Sequence, residues 1–239
     1  MKSPVTALIA VLVLAFMAPA GQAAASEARA MPLPAKSLRF EIMRNGDGIG
    51  YATVDVQRDG PRTIVETETR MRVKVLFFTA FRFRHKTREV WQDGKLVRLE
   101  TSTYDDGAEF SVTAERNGGG LDVSGPNGAY TAPVGILPTT YWNPATRQQA
   151  QLLNTRKGNV IDVEILDKGT VDGADAVAPR GARHLLIDGP KTDFNVFYCG
   201  PSRTWCGLQF ETRGSDIAYR PLFDAETLVA EDADAAAAD

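Results

Sequence analysis

The sequence predicts an all-β protein, a single large antiparallel meander of about a dozen strands with one long loop. Segments in which apolar and polar residues alternate follow one another from residue 37 to residue 124, as strands with one buried face require. Short turns rich in Gly, Asn and Asp separate these segments. No segment before Pro138 has a convincing helical period of 3.6 residues. Together these observations favour a meander of antiparallel strands.

Residues 1–25 have the features of a secretory signal peptide. Lys2 precedes an apolar run over residues 5–18, and small residues allow cleavage after Ala23 or Ala25. The run is shorter than the roughly 20 residues that a membrane-spanning helix needs. The sequence therefore predicts an exported, periplasmic protein with no transmembrane segment in its mature chain.

One β domain is expected over residues 37–223, which is long enough for a core of its own. Residues 224–239 carry six acids and no base, and this acidic, alanine-rich tail is predicted to be disordered. The acids are Asp224, Glu226, Glu231, Asp232, Asp234 and Asp239. The tail could neutralise a basic surface of the same chain.

Residues 66–104 predict three consecutive strands, and the first two carry a row of seven cations. If Phe77 pairs with Phe81, three pairs of like charges lie opposite each other across the hairpin. Each pair would destabilise the sheet by something under about 1 kcal/mol. The pairs are Lys74 with Arg84, Arg72 with Lys86, and Arg70 with Arg88. Such a row indicates an anion nearby, either a ligand or another part of the protein. The alternative is a solvated face whose long side chains lie over apolar neighbours. Ligand or partner binding is assigned to Arg70, Arg72, Lys74, Arg82, Arg84, Lys86 and Arg88.

An Asp-Gly pair at residues 93–94 predicts a two-residue hairpin turn. This turn places Trp91 opposite Leu96 and Glu89 opposite Arg98, and both are favourable cross-strand pairs.

Residues 125–151 interrupt the alternation and predict a long loop with one short helix beginning near Thr139 or Pro144. In this loop Tyr141, Trp142 and Asn143 could line a ligand pocket near its mouth or anchor the loop in the core. Strands resume at 152–155, 160–166, 182–188, 193–199, 206–213 and 217–220.

Cys199 and Cys206 are the two cysteines of the chain. A turn centred on residues 202–203 would place them opposite each other, at a separation suited to a disulfide. Export favours the bond, which would stabilise the fold by roughly 2–3 kcal/mol. The spacing is not C-x-x-C and no histidine is near, so neither a metal site nor a cofactor is predicted.

The histidines, His85 and His184, give no catalytic motif. His85 could act as a general base oriented by an acid such as Glu89. The alternative is a partly buried histidine hydrogen-bonded to Ser102 or Glu100 on the neighbouring strand. No catalytic residue is assigned.

Five motifs resemble those of an uncharacterised family of exported bacterial proteins, over roughly residues 38–220. They are residues 81–85, 89–91, 93–96, 130–133 and 138–144. The resemblance implies no activity. More loosely, the architecture is similar to the curved barrels of periplasmic lipoprotein carriers, which implies a strongly curved sheet forming an unclosed or distorted barrel.

The leading hypothesis is a periplasmic carrier that binds an apolar or amphiphilic anionic ligand of the cell envelope. The alternative is an envelope interaction protein that docks an acidic partner through the basic hairpin. A third hypothesis is a hydrolase that uses His85. None of the three involves nucleic acid.

Overall fold

The computed structural model describes residues 37–75, 78–173 and 177–223. The predicted signal peptide, the acidic tail and Phe77 lie outside the described residues. The described ranges contain sixteen strands, numbered here in chain order, and one 3₁₀ helix over Pro144–Gln148. In this part of the chain, no helix has the length and the apolar character needed to cross a membrane.

Thirteen strands form one sheet whose neighbours all pair antiparallel. They are β1 (Leu38–Arg44), β2 (Asp47–Asp59), β3 (Arg62–Val75), β4 (Phe78–Gln92), β5 (Lys95–Asp105), β6 (Ala108–Arg116), β7 (Leu121–Gly125), β8 (Gly128–Ala132), β12 (Glu164–Thr170), β13 (Arg183–Asp188), β14 (Phe194–Cys199), β15 (Thr204–Thr212) and β16 (Ser215–Pro221). A small second sheet holds β9 (Leu137–Pro138), β10 (Gln151–Leu153) and β11 (Val160–Asp162).

The main sheet consists of two meanders joined by one long-range pairing. Strands β1 to β8 follow one another in space, as do β12 to β16, and β16 pairs with β1 through contacts such as Ile42 with Tyr219. The outer strands β8 and β12 do not pair with each other. The predicted all-β meander with an unclosed sheet is therefore confirmed.

Two-residue turns join several of these strands. Positive φ angles occur at both residues of the turns at 45–46, 93–94, 106–107 and 213–214. A type I′ turn requires this backbone, and its twist matches that of the strands on either side. The Asp-Gly turn predicted at 93–94 is thus confirmed, with Trp91 opposite Leu96.

One face of the sheet encloses the main hydrophobic core. Phe40, Val54, Leu99, Val112 and Val196, from five different strands, belong to the same buried cluster. A flat sheet of thirteen strands could not bring β6 and β14 to one cluster, because neighbouring strands are about 4.8 Å apart. The sheet therefore curves around its own core.

The segment between β8 and β12 fills the inside of this curve. Trp142, Leu152 and Leu153 are fully buried in the core cluster. The short helix begins at Pro144, one of the two predicted starts, and the Asn143 side chain caps it by accepting a hydrogen bond from the backbone N of Ala145 at 3.0 Å. The predicted long loop also contains β8 and β9, which its prolines and glycines concealed.

The predicted disulfide is present, although its register differs from the expectation. Cys199 pairs in the ladder with Thr204, and a register shift leaves Cys206 outside the pairing. The two Cα atoms are 5.8 Å apart and the sulfur atoms are bonded. The bond is therefore diagonal and does not join directly opposed residues.

The expectation that Glu89 faces Arg98 is wrong. A bulge between Val90 and Trp91 shifts the register by one residue, so Val90 faces Arg98 and Glu89 faces Leu99. Leu99 belongs to the buried core, and the carboxyl of Glu89 therefore lies inside the protein.

Candidate functional site

One end of the curved sheet gathers several turns into an open mouth. Alternate connections of an antiparallel meander lie at the same end of the sheet. The turns at 45–46, 106–107 and 213–214 therefore share an end with the connection between β3 and β4. Each turn brings side chains from a different part of the sequence to this end.

A cavity of about 430 Å³ opens at this mouth. It is lined by Arg44, Ile49, Met71, Val73, Ala80, Phe81, Phe83, Asp105, Asp106, Arg156, Phe210, Thr212, Arg213, Ser215 and Ile217. These residues come from both meanders and from the interior segment, so the cavity exists only because the sheet curves.

The walls of the cavity are mainly apolar. Phe81 and Phe83 stack with their ring centroids 6.5 Å apart on the inner face of β4, and Val73 and Met71 pair with them from β3. Phe210 closes the opposite side from β15. All five side chains are half-buried, so their exposed portions present an apolar surface to anything that enters.

Three arginines and two aspartates supply the polar part of the lining. Arg44 donates to the Ser215 hydroxyl at 2.9 Å, and Arg156 forms an ion pair with Asp105. Arg213 forms no ion pair with any residue of the described ranges. The lining therefore holds three arginines and two aspartates, Asp105 and Asp106, and the cavity carries a net positive charge.

Arg156 is held in place by a tight turn of the interior segment. The Asn154 side chain accepts hydrogen bonds from the backbone N of Arg156 and of Lys157, both at 3.0 Å. The Lys157 ammonium lies 3.3 Å from the centroid of the Phe110 ring, a favourable cation–π contact. Arg156 Nε is buried and has no acceptor in the described part of the chain. The Arg156 side chain as a whole is 42% exposed, so part of its guanidinium is open to an anion in the cavity that it lines.

His85 lies behind the cavity, between β4 and the interior segment. Its Nδ1 is 2.8 Å from the Thr103 hydroxyl and its Nε2 is 3.0 Å from that of Thr155. Burial, with a smaller effect of the nearby Arg156 cation, lowers the pKa of His85 to about 4. The expected cross-strand hydrogen bond is thus present, but to Thr103 and not to Ser102 or Glu100. The described ranges contain no cluster of three metal-ligating side chains.

Glu89 and His85 do not form a catalytic pair. They are four residues apart on the same face of β4, which corresponds to about 13 Å. Glu89 accepts hydrogen bonds from the indole N–H groups of Trp91 and Trp142, at 3.0 and 3.1 Å. Burial raises the pKa of Glu89 to about 7, against the lowering effect of hydrogen bonds from Thr140 and the two tryptophans.

The aromatic cluster of the predicted loop lies in the core and not at the mouth. Tyr141, Trp142 and Asn143 are all buried. The backbone carbonyl of Tyr141 accepts a hydrogen bond from the Tyr198 hydroxyl at 2.6 Å. This arrangement is the one expected of residues that anchor the loop; their assignment to ligand binding stays a prediction.

The register predicted for the basic hairpin is wrong by four residues. Arg70 faces Arg84, Arg72 faces Arg82, and Glu68 faces Lys86. The expected row of three like-charge pairs is therefore reduced to two. The ladder ends with Val75 opposite Phe78, earlier in the sequence than the predicted pair of Phe77 with Phe81, and its register shifts between Val73 and Lys74. The inner half of the hairpin therefore brings acids opposite the cations.

Glu68 and Glu66 neutralise much of the basic face. Glu68 accepts from Arg70 Nε at 2.7 Å and from Arg84 Nε at 3.0 Å, and Lys86 Nζ is 3.5 Å away. Burial alone would raise the pKa of Glu68, but these hydrogen bonds hold that pKa below its ordinary value. Arg88 pairs with Glu66 at 2.6 Å. A second cavity, of about 720 Å³, opens on this face and is lined by Arg70, Arg72, Arg82, Arg84 and Lys86 among others.

The cations nearest the end of the hairpin remain without such partners. Arg72, Lys74 and Arg82 are exposed and form no ion pair with the described residues. The structure thus divides the seven predicted binding residues into four that pair with Glu66 or Glu68 and three that form no ion pair with the described residues. Their role as ligand or partner contacts stays a prediction.

The three arginines of the cavity were not among the predicted binding residues. Arg44 precedes the turn at 45–46, Arg213 lies in the turn at 213–214, and Arg156 follows β10 in the interior segment. Every second turn of an antiparallel meander lies at the same end of the sheet, and this rule could have placed Arg44 and Arg213 at one end. No local signal places Arg156 beside them, because its position depends on how the interior segment packs.

A solved structure confirms this architecture. The chain is similar to the crystal structure of a beta-barrel-like protein of domain of unknown function DUF1849 from Brucella abortus, with a TM-score of 0.58 and 12% sequence identity. The alignment covers 81% of this chain and 98% of that chain. At this identity the similarity concerns the fold.

A family model described as domain of unknown function (DUF6134) matches residues 40–222. The match spans nearly the whole described part of the chain and includes every residue that lines the cavity. The expectation of an uncharacterised family is confirmed. No curated protein matches the sequence.

Proposed function

The chain belongs to the DUF6134 family, whose description names no activity, and we propose that it is a non-catalytic carrier of an amphiphilic anion. The ligand's apolar part would occupy the cavity at the mouth of the sheet, and its anionic head group would contact Arg156, Arg213 and Arg44. The proposal places the protein in the periplasm, as its signal peptide predicts.

The observation that carries this proposal is the convergence of three arginines, Arg44, Arg156 and Arg213, on an apolar cavity whose lining, within the described ranges, holds only two aspartates. A carboxylate, phosphate or sulfate group could accept from the exposed part of the Arg156 guanidinium while the ion pair with Asp105 remains. An aromatic wall and a few convergent polar groups are typical of small-molecule sites.

The size of the cavity fits a single chain or small amphiphile. Ligand sites usually enclose about 300–1,000 Å³, and this cavity has about 430 Å³. Its apolar lining from Met71, Phe81, Phe83 and Phe210 would remove methylene groups from water, each contributing about 0.8 kcal/mol. A purely hydrophilic anion would gain none of this energy.

The proposal is tested first by native mass spectrometry of the protein purified from the periplasm, which would reveal a co-purifying amphiphile. The second measurement is calorimetric titration with two probes that share one chain, dodecyl phosphate and dodecyltrimethylammonium. We expect the phosphate to bind with one-to-one stoichiometry and the ammonium to bind much more weakly, because the head-group site is cationic.

Arg156→Gln should weaken binding of dodecyl phosphate by about tenfold to a hundredfold, the effect of losing a charged hydrogen bond. The matched control is Arg98→Gln, which removes an exposed arginine on the outer face of β5. Equal affinity for both probes, or equal loss in the two variants, would contradict the proposal.

A second candidate function is an envelope interaction protein that docks an acidic partner through the basic hairpin. The observation that favours it is the set of exposed cations that form no ion pair within the described ranges, Arg72, Lys74 and Arg82. An empty wild-type protein that binds neither probe would favour this function over the carrier. A hydrolase that uses His85 stays a hypothesis, and the acid expected to orient the imidazole, Glu89, instead accepts hydrogen bonds from Trp91 and Trp142.

A further inference from the structure

We infer that the end of the β3–β4 hairpin docks on an anionic lipid bilayer and brings the mouth of the cavity to the membrane surface. This inference rests on the proposed function, since a carrier of amphiphiles must exchange its ligand with a membrane. It assigns a partner to Arg72, Lys74 and Arg82, which form no ion pair with any residue that the structure describes.

The hairpin extends beyond the strands on either side of it. The last ladder pair between β2 and β3 is Gly50 with Met71, and the last pair between β4 and β5 is Phe83 with Asp105. Beyond these rows, β3 and β4 pair in the ladder only with each other. From Met71 to Val75 this extension measures about 13 Å, at roughly 3.3 Å per residue.

The extension has one cationic and one apolar face. Arg72 and Arg82 face each other on the outer side, and Lys74 follows in the same strand. Val73 and Phe81 pair on the inner side. A bilayer interface matches both faces, because its phosphates attract the cations while its acyl boundary accepts the apolar side chains. Arginine and lysine can keep their charges at the head groups while their stems lie deeper.

The apolar face of the extension is also a wall of the cavity. Val73, Ala80 and Phe81 line it together with Phe83 and Met71, so the apolar side chains of the extension and of the cavity wall belong to one surface. An acyl chain could follow this surface between bilayer and cavity without crossing water. An acidic protein partner would match the cations but leave the apolar face unexplained.

The test is co-sedimentation of the chain from Ser26 onward with phosphatidylcholine vesicles, with and without an equal part of phosphatidylglycerol. We expect binding to the anionic vesicles that weakens at high salt, since screening shortens the reach of the charges. The variant Arg72→Gln, Lys74→Gln, Arg82→Gln should lower the partition coefficient on the order of a hundredfold, at about fivefold for each cation.

The matched control is Arg58→Gln, Arg62→Gln, Lys95→Gln. These three exposed cations lie at the opposite end of β2, β3 and β5 and form no ion pair with the described residues. The control removes the same charge and should bind the anionic vesicles like the wild type. Equal losses in the two triple variants would overturn the inference, as would equal binding of the wild type to both vesicle types.

The acidic tail is the competing occupant of the cationic face. If the wild type does not bind anionic vesicles but a variant with its six tail acids changed to amides does, the cations are occupied by the tail and the inference is overturned. Vesicle binding does not require a ligand in the cavity. The unloaded Arg156→Gln variant should therefore still bind vesicles, and its behaviour separates failure of this inference from failure of the carrier function.

Discussion

The indole N–H of Trp142 donates to both carboxyl oxygens of Glu89, at 3.2 and 3.1 Å, across 53 positions of sequence. The contact joins the interior segment to the wall of the sheet, next to Trp91, whose ring meets that of Trp142 edge-on at 5.5 Å. A titratable group thus lies at the junction between the segment that carries Arg156 and the strand that carries Phe81 and Phe83.

Glu89 and His85 should give opposite pH dependences of the free energy of unfolding. Between pH 4.5 and about 7, folded Glu89 keeps a proton that the unfolded chain releases, so its contribution falls as the pH rises. Between pH 6.5 and about 4, unfolded His85 takes up a proton that the folded state excludes, so its contribution falls as the pH drops. Each effect amounts to roughly 3 kcal/mol over its window. In the wild type they should largely cancel between pH 4.5 and 6.5.

Urea unfolding across this range checks the two contributions separately. In Glu89→Gln only the His85 contribution remains, so the free energy of unfolding should rise with pH. In His85→Gln only the Glu89 contribution remains, so the free energy of unfolding should fall as the pH rises. Two variants with the same slope as the wild type would show that neither pKa is shifted by folding.

Trp142→Phe should destabilise the fold by about 1–3 kcal/mol, because it removes a donor from a buried carboxyl. The loss should be larger at about pH 8, where folded Glu89 is ionised, than at about pH 5, where it is protonated. The matched control is Trp205→Phe. Its indole donates to the backbone carbonyl of Gly207 at 2.8 Å, a group that does not titrate, so its cost should not change over this interval.

Arg213→Asn should stabilise the protein while weakening its binding of dodecyl phosphate. Arg213 has a φ of 50°, in the left-handed region that asparagine tolerates better than arginine, and the gain should be about 0.5–1 kcal/mol. Arg203→Asn is the matched control, since Arg203 also has a φ of 50° but lies in the turn between β14 and β15, at the other end of the sheet. Both variants should raise the melting temperature, and only Arg213→Asn should lower affinity. Unchanged affinity in both would remove Arg213 from the binding site.

Replacing both cysteines by alanine should lower the free energy of unfolding by about 2–3 kcal/mol, the loop entropy of a short disulfide. Cys199 and Cys206 belong to a small buried cluster with Val177 and Ala182, separate from the main core. The cavity lies at the opposite end of β15, so affinity for dodecyl phosphate should not change. Reducing the wild type should reproduce the loss in stability, and a loss in affinity would mean that the two ends of the sheet are coupled.

The sequence by itself determined the strands and many of the turns. Alternation of apolar and polar residues is a local property, and Asn-Gly and Asp-Gly pairs specify tight turns through their own backbone preferences. The all-β meander, the disulfide and a short helix starting at Pro144 therefore followed from residues that are near one another in the chain.

Only the tertiary structure decided which residues face each other and what the inner face encloses. One bulge moved Glu89 from Arg98 to Leu99, and an earlier hairpin turn with a register shift after Val73 placed Glu68 opposite Lys86. A bulge leaves the alternation of each strand almost unchanged, yet it shifts every pair beyond it. The cavity depends on Arg44, Arg156 and Arg213, which are brought together by the curvature of the sheet and the packing of the interior segment. Because curvature and packing result from many long-range contacts, no short stretch of sequence specifies them.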